Sequence, residues 1–458
     1  MTVTVPAPLR ELPGTARTAA RWSAQHAAPR LVMRRMAATG DLQGTMLMEH
    51  GTGRLHEIFE QIRDEGRVYR GSLGYVTTSH QVCKEVLAGG DFHVGFARGR
   101  LPGVLGKAAL WAQAGGPIGP LTPPSLLAVE PPDHTRYRKL VTRVFSVRAV
   151  QQLRERAITV ADELLDDLAG ESEVDLVERY CSRLPMTMIA EILGVPPEER
   201  QKVLEFGEGA APSLDLGLDW ATFRDVEASL AAFEEWLGEH IARLRANPSD
   251  DLMSQLVAAT EDGRGLDDHE LRATAGLVLA AGFETTVNLL GNGVALLTRH
   301  RDQLDGLLAA DPGGDEGGGA KPAVERWTNA VDEVLRFDPP VLLTGRSTAT
   351  DTELDGRSLP AQTMVTVVLA AANRDPEVFD RPQEFDVTRE NAGDHLSFSG
   401  GRHYCLGAAL ARMEGEVGLS RLLARYPDLE VLPGATRRPT RILRGYATLP
   451  VRLGEPAT

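Results

Sequence analysis

The chain has 458 residues, 42% hydrophobic and 25% charged, the proportions of an ordinary globular protein, which exclude a disordered or fibrous class. A net charge of −15 argues against a general nucleic-acid binder. The three cysteines, Cys83, Cys181 and Cys405, are too few and too scattered for a disulfide framework. With no signal-like start and no run of about 18 apolar residues, the expected setting is cytoplasmic, with no membrane anchor.

In chain order, residues 1–54 read as a poorly defined lead-in, broken by Pro6, Pro8, Pro13, Gly51 and Gly53. From residue 55, LHEIFEQIRDEG predicts a helix, and RVYRGSLGYVTTS, with β-branched and aromatic residues around glycines, predicts a hairpin followed by another helix. Residues 89–132 are irregular but rich in Gly, Pro and Leu, which suggests a segment lying over something apolar. Helices are predicted over 150–168, 182–193, 220–246 and 267–300. At about 1.5 Å per residue the last extends to roughly 50 Å, enough to cross a globular protein through its centre. Residues 311–320, DPGGDEGGGA, form a glycine-rich linker, and residues 363–370 and 441–453 are strand-like.

The densest chemical signal is FSGGRHYCLGAALARMEGEVGL, beginning at Phe398. Two adjacent glycines lead into Cys405, and Gly407 opens a run of good helix formers, so the cysteine is expected at a helix N-terminus. There the helix dipole and backbone N–H groups favour thiolate, the form that a metal needs. Glycine lets the backbone approach a flat, bulky cofactor. A lone cysteine is usually a small buried hydrophobe, and Cys83 and Cys181 are read that way. On the long helix, Ala281, Gly282, Phe283, Glu284, Thr285 and Thr286 place a carboxylate beside a hydroxyl, a combination able to relay protons. Out of context, Thr285 would simply bond back to the Ala281 carbonyl and Glu284 would be a solvated helix residue.

Phe398, Gly401, His403, Cys405 and Gly407 together match the haem-binding signature of the cytochrome P450 superfamily, and the Ala281–Thr286 run resembles its oxygen-binding helix. Glu333-Val334-Leu335-Arg336, then PPVLLTGR, AANRDP and FDVTR, follow in the family's order. The resemblance covers residues 55–453 and looks closest to soluble actinobacterial, ferredoxin-dependent members, with Ser399 and Ala281 standing where glycine is frequent. It implies a mainly α fold: one large helical domain over residues 55–458 with a small antiparallel β region. Haem b would lie between the long helix and the Cys405 loop, with Cys405 as iron ligand. Ala281 and Gly282 would flank the O2 pocket, and Glu284 and Thr285 would deliver protons. His134, Arg138, Arg346 and His403 would reach the haem propionates. Glu333, Arg336 and Arg389 would form a buried structural network.

By position, Phe96, Leu101, Val104, Leu105, Leu110 and Trp111, with Leu277, Ala280, Leu342 and Leu343, resemble the family's substrate-contacting regions, although plain core packing explains Leu110 or Leu343 individually almost as well. The implied reaction inserts one oxygen atom from O2 into a mostly apolar molecule of steroid, fatty-acid, terpenoid or polyketide type. Ring coupling, dehydration or isomerisation on the same fold, or a non-enzymatic haem-thiolate sensor, remain alternatives. The window from His134 to Arg154 holds Arg136, Arg138, Lys139, Arg143, Arg148 and Arg154 and no acid. With Arg402 and Arg412 it is expected to attract an acidic ferredoxin supplied by an NAD(P)H-dependent reductase. A monomer, with no nucleic-acid or membrane partner, completes the expectation.

Overall fold

The computed structural model describes residues 14–49, 54–94, 111–112, 115–144, 147–249, 251–261, 263–309 and 323–457. Helices dominate, and the long one organises the rest. Asp268–Arg299 begins where the Asp267 side chain accepts the Glu270 N–H and the Glu270 carboxylate accepts the Asp267 N–H, a reciprocal cap for two otherwise open donors. From Phe283 to Leu297 nearly every residue is buried, because a helix apolar on all sides has no face to give to water. By length and composition it is the one described helix able to cross a membrane, but 67% of its most apolar stretch is buried inside the protein, which marks a core helix.

Helix Ala408–Arg425, which follows the cysteine loop, packs directly on it. A Cβ added to Gly418 would come within 2.7 Å of Leu290, and one on Gly415 within 2.9 Å of Leu289. Helix Val147–Asp166 covers the other side of Ala408–Arg425. Helices Arg183–Ile192, Arg200–Ala210 and Trp220–Ala246 close over the first half of the long helix, where Ile189, Val203, Phe206 and Phe233 share one hydrophobic cluster with Leu279 and Phe283.

The β structure is minor and lies to one side. The expected hairpin forms from Tyr69–Gly71 and Gly74–Thr77, and the sheet continues through Met364–Val367, Thr344–Thr348 and Phe92–Val94. Its ladders are antiparallel except between Gly74–Thr77 and Met364–Val367, which run parallel. Pro450–Arg452 pairs with Glu173–Asp175 and Glu430–Val431, while Thr436–Arg437 pairs with Tyr446–Thr448.

Residues 14–48 depart from the undefined lead-in expected of them. They form Gly14–Trp22, a π-helical turn Ser23–Ala27, Ala28–Ala38 and Leu42–Met48. Pro29 sits in the first turn of its helix, where its missing N–H costs nothing, and Asp41 caps the last helix through the Gly44 N–H. Met33, Met46 and Leu47 pack with Leu55, Ile58, Phe59, Leu342 and Leu343, so this region is part of a core. The prolines and glycines that suggested disorganisation fall outside the described residues.

Candidate active site

The chain turns sharply just before helix Ala408–Arg425. Ser399 and Gly401 both have left-handed backbone, with φ of 62° and 63°. A Cβ on Gly401 would meet the Leu87 carbonyl oxygen at 2.3 Å, so only glycine fits there, whereas Ser399 bears the conformational cost. A 3-10 turn, Gly401–His403, follows, and the Cys405 N–H then donates to the Phe398 carbonyl at 2.9 Å. Gly407 is the N-cap, so Cys405 stands half-buried at the helix N-terminus. Burial pushes its thiol up. The Gly407 N–H, Arg138 and Arg412 pull the other way, towards thiolate. Phe398 is buried behind the loop, with the Arg412 guanidinium 4.6 Å from its ring.

Helix Asp133–Val144 brings His134 and Arg138, four residues apart, to one face beside this loop. The His134 ring lies 4.3 Å from the His403 ring, and the half-buried Arg138 is close enough to Cys405 to feel its charge. Burial, with His403 and Arg138 nearby, lowers His134 to about 4. Arg346, buried in its strand, reaches the Ser399 hydroxyl at 3.4 Å, and burial lowers its guanidinium to about 10. Glu130 completes the group by accepting Arg402 at 3.0 Å, and its Oε1 lies 3.4 Å from His403 Nε2. Burial alone would raise Glu130, yet His403, the Val94 N–H and Arg402 outweigh it and hold the carboxyl at about 2.

One atom in this cluster stays unsatisfied: His134 Nε2 is buried and no hydrogen bond reaches it among the described residues, while His403 Nε2 has only the long approach of Glu130. Buried donors and cations without acceptors are costly, and a ligand that brings carboxylates removes that cost. Haem, with two propionates and an iron for the Cys405 sulfur, fits this donor set.

On the long helix, the Thr285 hydroxyl donates to the Ala281 carbonyl at 2.7 Å, the local bond expected of a helical threonine. Glu284 is buried and faces elsewhere, since adjacent helical residues point about 100° apart. Its Oε1 lies 2.8 Å from Arg438 Nε of the C-terminal segment. Burial raises the carboxyl, while Arg438 and Asn288 oppose the shift. Gly282 is small because Ile189 approaches it, at 3.1 Å from an added Cβ.

Glu333, Arg336 and Arg389 meet in a dry network. Arg336 holds both Glu333 oxygens at 2.7 Å and donates to the carbonyls of Asn373, Pro382 and Glu384. Arg389 lies 3.2 Å from Glu333, which also accepts the Asp386 N–H.

Comparison with known proteins agrees with this geometry. The sequence profile of the cytochrome P450 family matches residues 324–452. The putative cytochrome P450 140 of Mycobacterium tuberculosis is 46% identical over 94% of this chain and 97% of its own length. The chain belongs to the cytochrome P450 family. The 6-deoxyerythronolide B hydroxylase of Saccharopolyspora erythraea is 39% identical, covering 71% of this chain and 76% of its own. Among solved structures, P450BioI in complex with hexadec-9Z-enoic acid ligated acyl carrier protein aligns with a TM-score of 0.76 at 27% identity, over 87% of this chain and 98% of that one. As a P450, this protein binds haem b and is a monooxygenase.

Among the described residues, those expected to meet substrate in this P450 are divided between separate hydrophobic clusters. Leu277 packs on the main core, Ala280 joins Leu218, Phe223, Val226 and Leu230, and Leu342 and Leu343 belong to the cluster around Phe59. For the last two, core packing accounts for everything observed. Trp111 is 5% exposed, and its Nε1 meets no acceptor among the described residues. Phe96, Leu101, Val104, Leu105 and Leu110 lie outside the described residues.

The basic window needs correction. Arg136 pairs with Glu270, Lys139 with Glu261 at 3.3 Å and Arg154 with Glu416, while Arg402 and Arg412 pair with Glu130 and Asp332. Carboxylates remote in sequence thus neutralise charges that look unopposed along the chain. Arg438 and Glu130 are the site residues that the sequence reading misses. Glu130 stands four residues before His134 in AVEPPDH, a spacing that could have flagged it, whereas nothing in RRPTR distinguishes Arg438.

Proposed function

We propose that this P450 inserts one atom of O2 into a mostly apolar small molecule of polyketide, fatty-acyl, steroid or terpenoid type, with electrons passed from NAD(P)H through a reductase and an acidic ferredoxin. The observation that carries the reading is the convergence of Cys405, Arg138, His403 and the unsatisfied nitrogen of His134 on one loop. In this reading Cys405 holds the iron as thiolate, and Phe398, Gly401 and Gly407 shape the loop around the ring. His134, Arg138, Arg346 and His403 bind the propionates through charge-assisted bonds. Bound haem supplies the activation of O2, and the chain supplies placement and protons. Ala281 and Gly282 flank the O2 site on the long helix, while Glu284 takes up a proton and Thr285 hands one on. Trp111, Leu277 and Ala280 border the substrate. The hydroxylase that acts on 6-deoxyerythronolide B and the fatty-acyl complex of P450BioI support large, apolar substrates. The basic face around helix Asp133–Val144 is the surface proposed to attract the ferredoxin.

The test is spectroscopic. Reduced protein under carbon monoxide is expected to show the Soret band of thiolate-ligated haem, and Cys405→Ala to lose it. A wild-type band of the histidine-ligated kind would defeat the assignment.

A further inference from the structure

Helix Gly14–Trp22 does more than cover the core. Arg21, only 7% exposed, grips Glu227 of helix Trp220–Ala246 with two parallel bonds of 2.5 and 2.8 Å, and its third nitrogen donates to the Ala112 carbonyl at 2.8 Å. One planar guanidinium therefore joins three segments that are far apart in sequence. Its neighbours reinforce the joint. The Arg17 guanidinium lies 5.3 Å from the Trp111 ring, and an added Cβ on Gly116 would meet Arg21 at 3.0 Å. The Trp22 indole donates to the Leu218 carbonyl at 3.0 Å, and His26 Nδ1 accepts the Leu218 N–H at 3.2 Å. Trp22 also packs against the cluster of Leu218, Phe223, Val226 and Leu230, whose member on the long helix is Ala280.

We propose that Arg21 is a specificity-determining positioning residue: by tying Ala112 to Glu227 it fixes the spacing between Trp111 and the helix above Ala280, and so sets the size of molecule that reaches the haem. This rests on the reading that Trp111 and Ala280 border the substrate. A buried fork suits the task better than apolar contact alone, because its three bonds specify direction as well as distance. Apolar packing of Trp22 holds the helix down. Arg21 decides where the Trp111 segment sits relative to it.

The experiment uses the haem-loaded protein and two probes that bind ferric iron through an imidazole nitrogen: imidazole itself, and the bulky triphenylmethyl imidazole clotrimazole. Association is followed by stopped flow at the Soret band for wild type, Arg21→Gln, Glu227→Gln and Trp111→Ala, with melting temperatures measured in parallel. Arg21→Gln is expected to speed clotrimazole binding roughly tenfold, as for about 1.4 kcal/mol, and imidazole binding less than twofold. Glu227→Gln, which keeps the Ala112 bond, should show the same bias more weakly, and it carries the test if Arg21→Gln fails to fold. The double exchange Arg21→Glu with Glu227→Arg should restore discrimination in part. Equal acceleration of both probes, or no change in either, overturns the proposal. If Trp111→Ala alone alters clotrimazole binding, the substrate-border reading stands and only the role of Arg21 falls; if no variant alters it, that reading falls as well. A carbon-monoxide band without thiolate character would already have failed the haem assignment.

Discussion

Ser399 is a side chain held in a backbone conformation that suits glycine, two residues before the turn at Gly401. A left-handed non-glycine residue costs about 1–2 kcal/mol, whereas glycine adds only about 0.5–1 kcal/mol of unfolded-state entropy. Its bond to Arg346, at 3.4 Å, is too long to compensate much. Ser399→Gly is therefore expected to stabilise the holoprotein by about 0.5–1 kcal/mol in urea unfolding, and Ser399→Val to destabilise it by more than that. A loss of stability in the glycine variant would contradict the strain. Glu414, on the helix after the cysteine, is 1% exposed, and its Oε1 has no partner among the described residues. Burial raises its carboxyl well above the ordinary range, so the folded protein keeps a proton that the unfolded chain releases. Stability contributed by this group is thus greatest below about pH 4.3 and falls as pH rises towards the folded value. Glu414→Gln should unfold like wild type near pH 4 and be increasingly the more stable protein towards pH 8. Parallel stability curves across that range would rule this out.

At the level of elements, the long helix and the C-terminal hairpin are joined by charge. Arg437 reaches Asn292 at 2.5 Å and Asp338 at 2.6 Å, which anchors the strand that carries Arg438 to Glu284. Without Arg438 the Glu284 carboxyl loses the cation that opposes its raised pKa and titrates higher still. Arg438→Gln should therefore leave the Soret band and substrate affinity nearly unchanged, while the pH profile for coupling NAD(P)H to product moves upward. An unmoved profile would remove Glu284 from proton delivery. The long helix was legible because its apolar run and the Ala281–Thr286 motif stand together in sequence. The Cys405 loop was legible for the same reason. Arg438 was not, because a cation 154 positions from its carboxylate leaves no local pattern. Helices 14–48 were hidden by the prolines and glycines that flank them.

At the scale of the molecule, ion pairs between distant segments both hold the fold and mask its surface charge. Glu333 has no exposure and two guanidinium partners, so Glu333→Ala leaves uncompensated buried cations and is expected to cost about 3–5 kcal/mol, read as a lower melting temperature and poor haem loading. Wild-type stability in that variant would refute the network's importance. Arg136→Glu should likewise cost about 2 kcal/mol or more, because Glu270 caps the long helix as well as pairing with Arg136. Slower reduction in that variant would then report damage to the helix start and say little about a docking surface. Fold class and cofactor follow from contiguous motifs, whereas surface electrostatics needs the tertiary pairing that no window of sequence contains.

The close fit of the long helix against Gly415 and Gly418 also bears on how the protein is made. Asp268–Arg299 leaves the ribosome before Ala408–Arg425 exists, and more than a hundred residues separate the two. At about 5–20 residues per second, this long apolar helix waits on the order of ten seconds for the surface of Ala408–Arg425. Throughout that interval it is a target for chaperones and a seed for aggregation, so soluble yield is expected to respond more to slower growth or added chaperone than to haem supply alone.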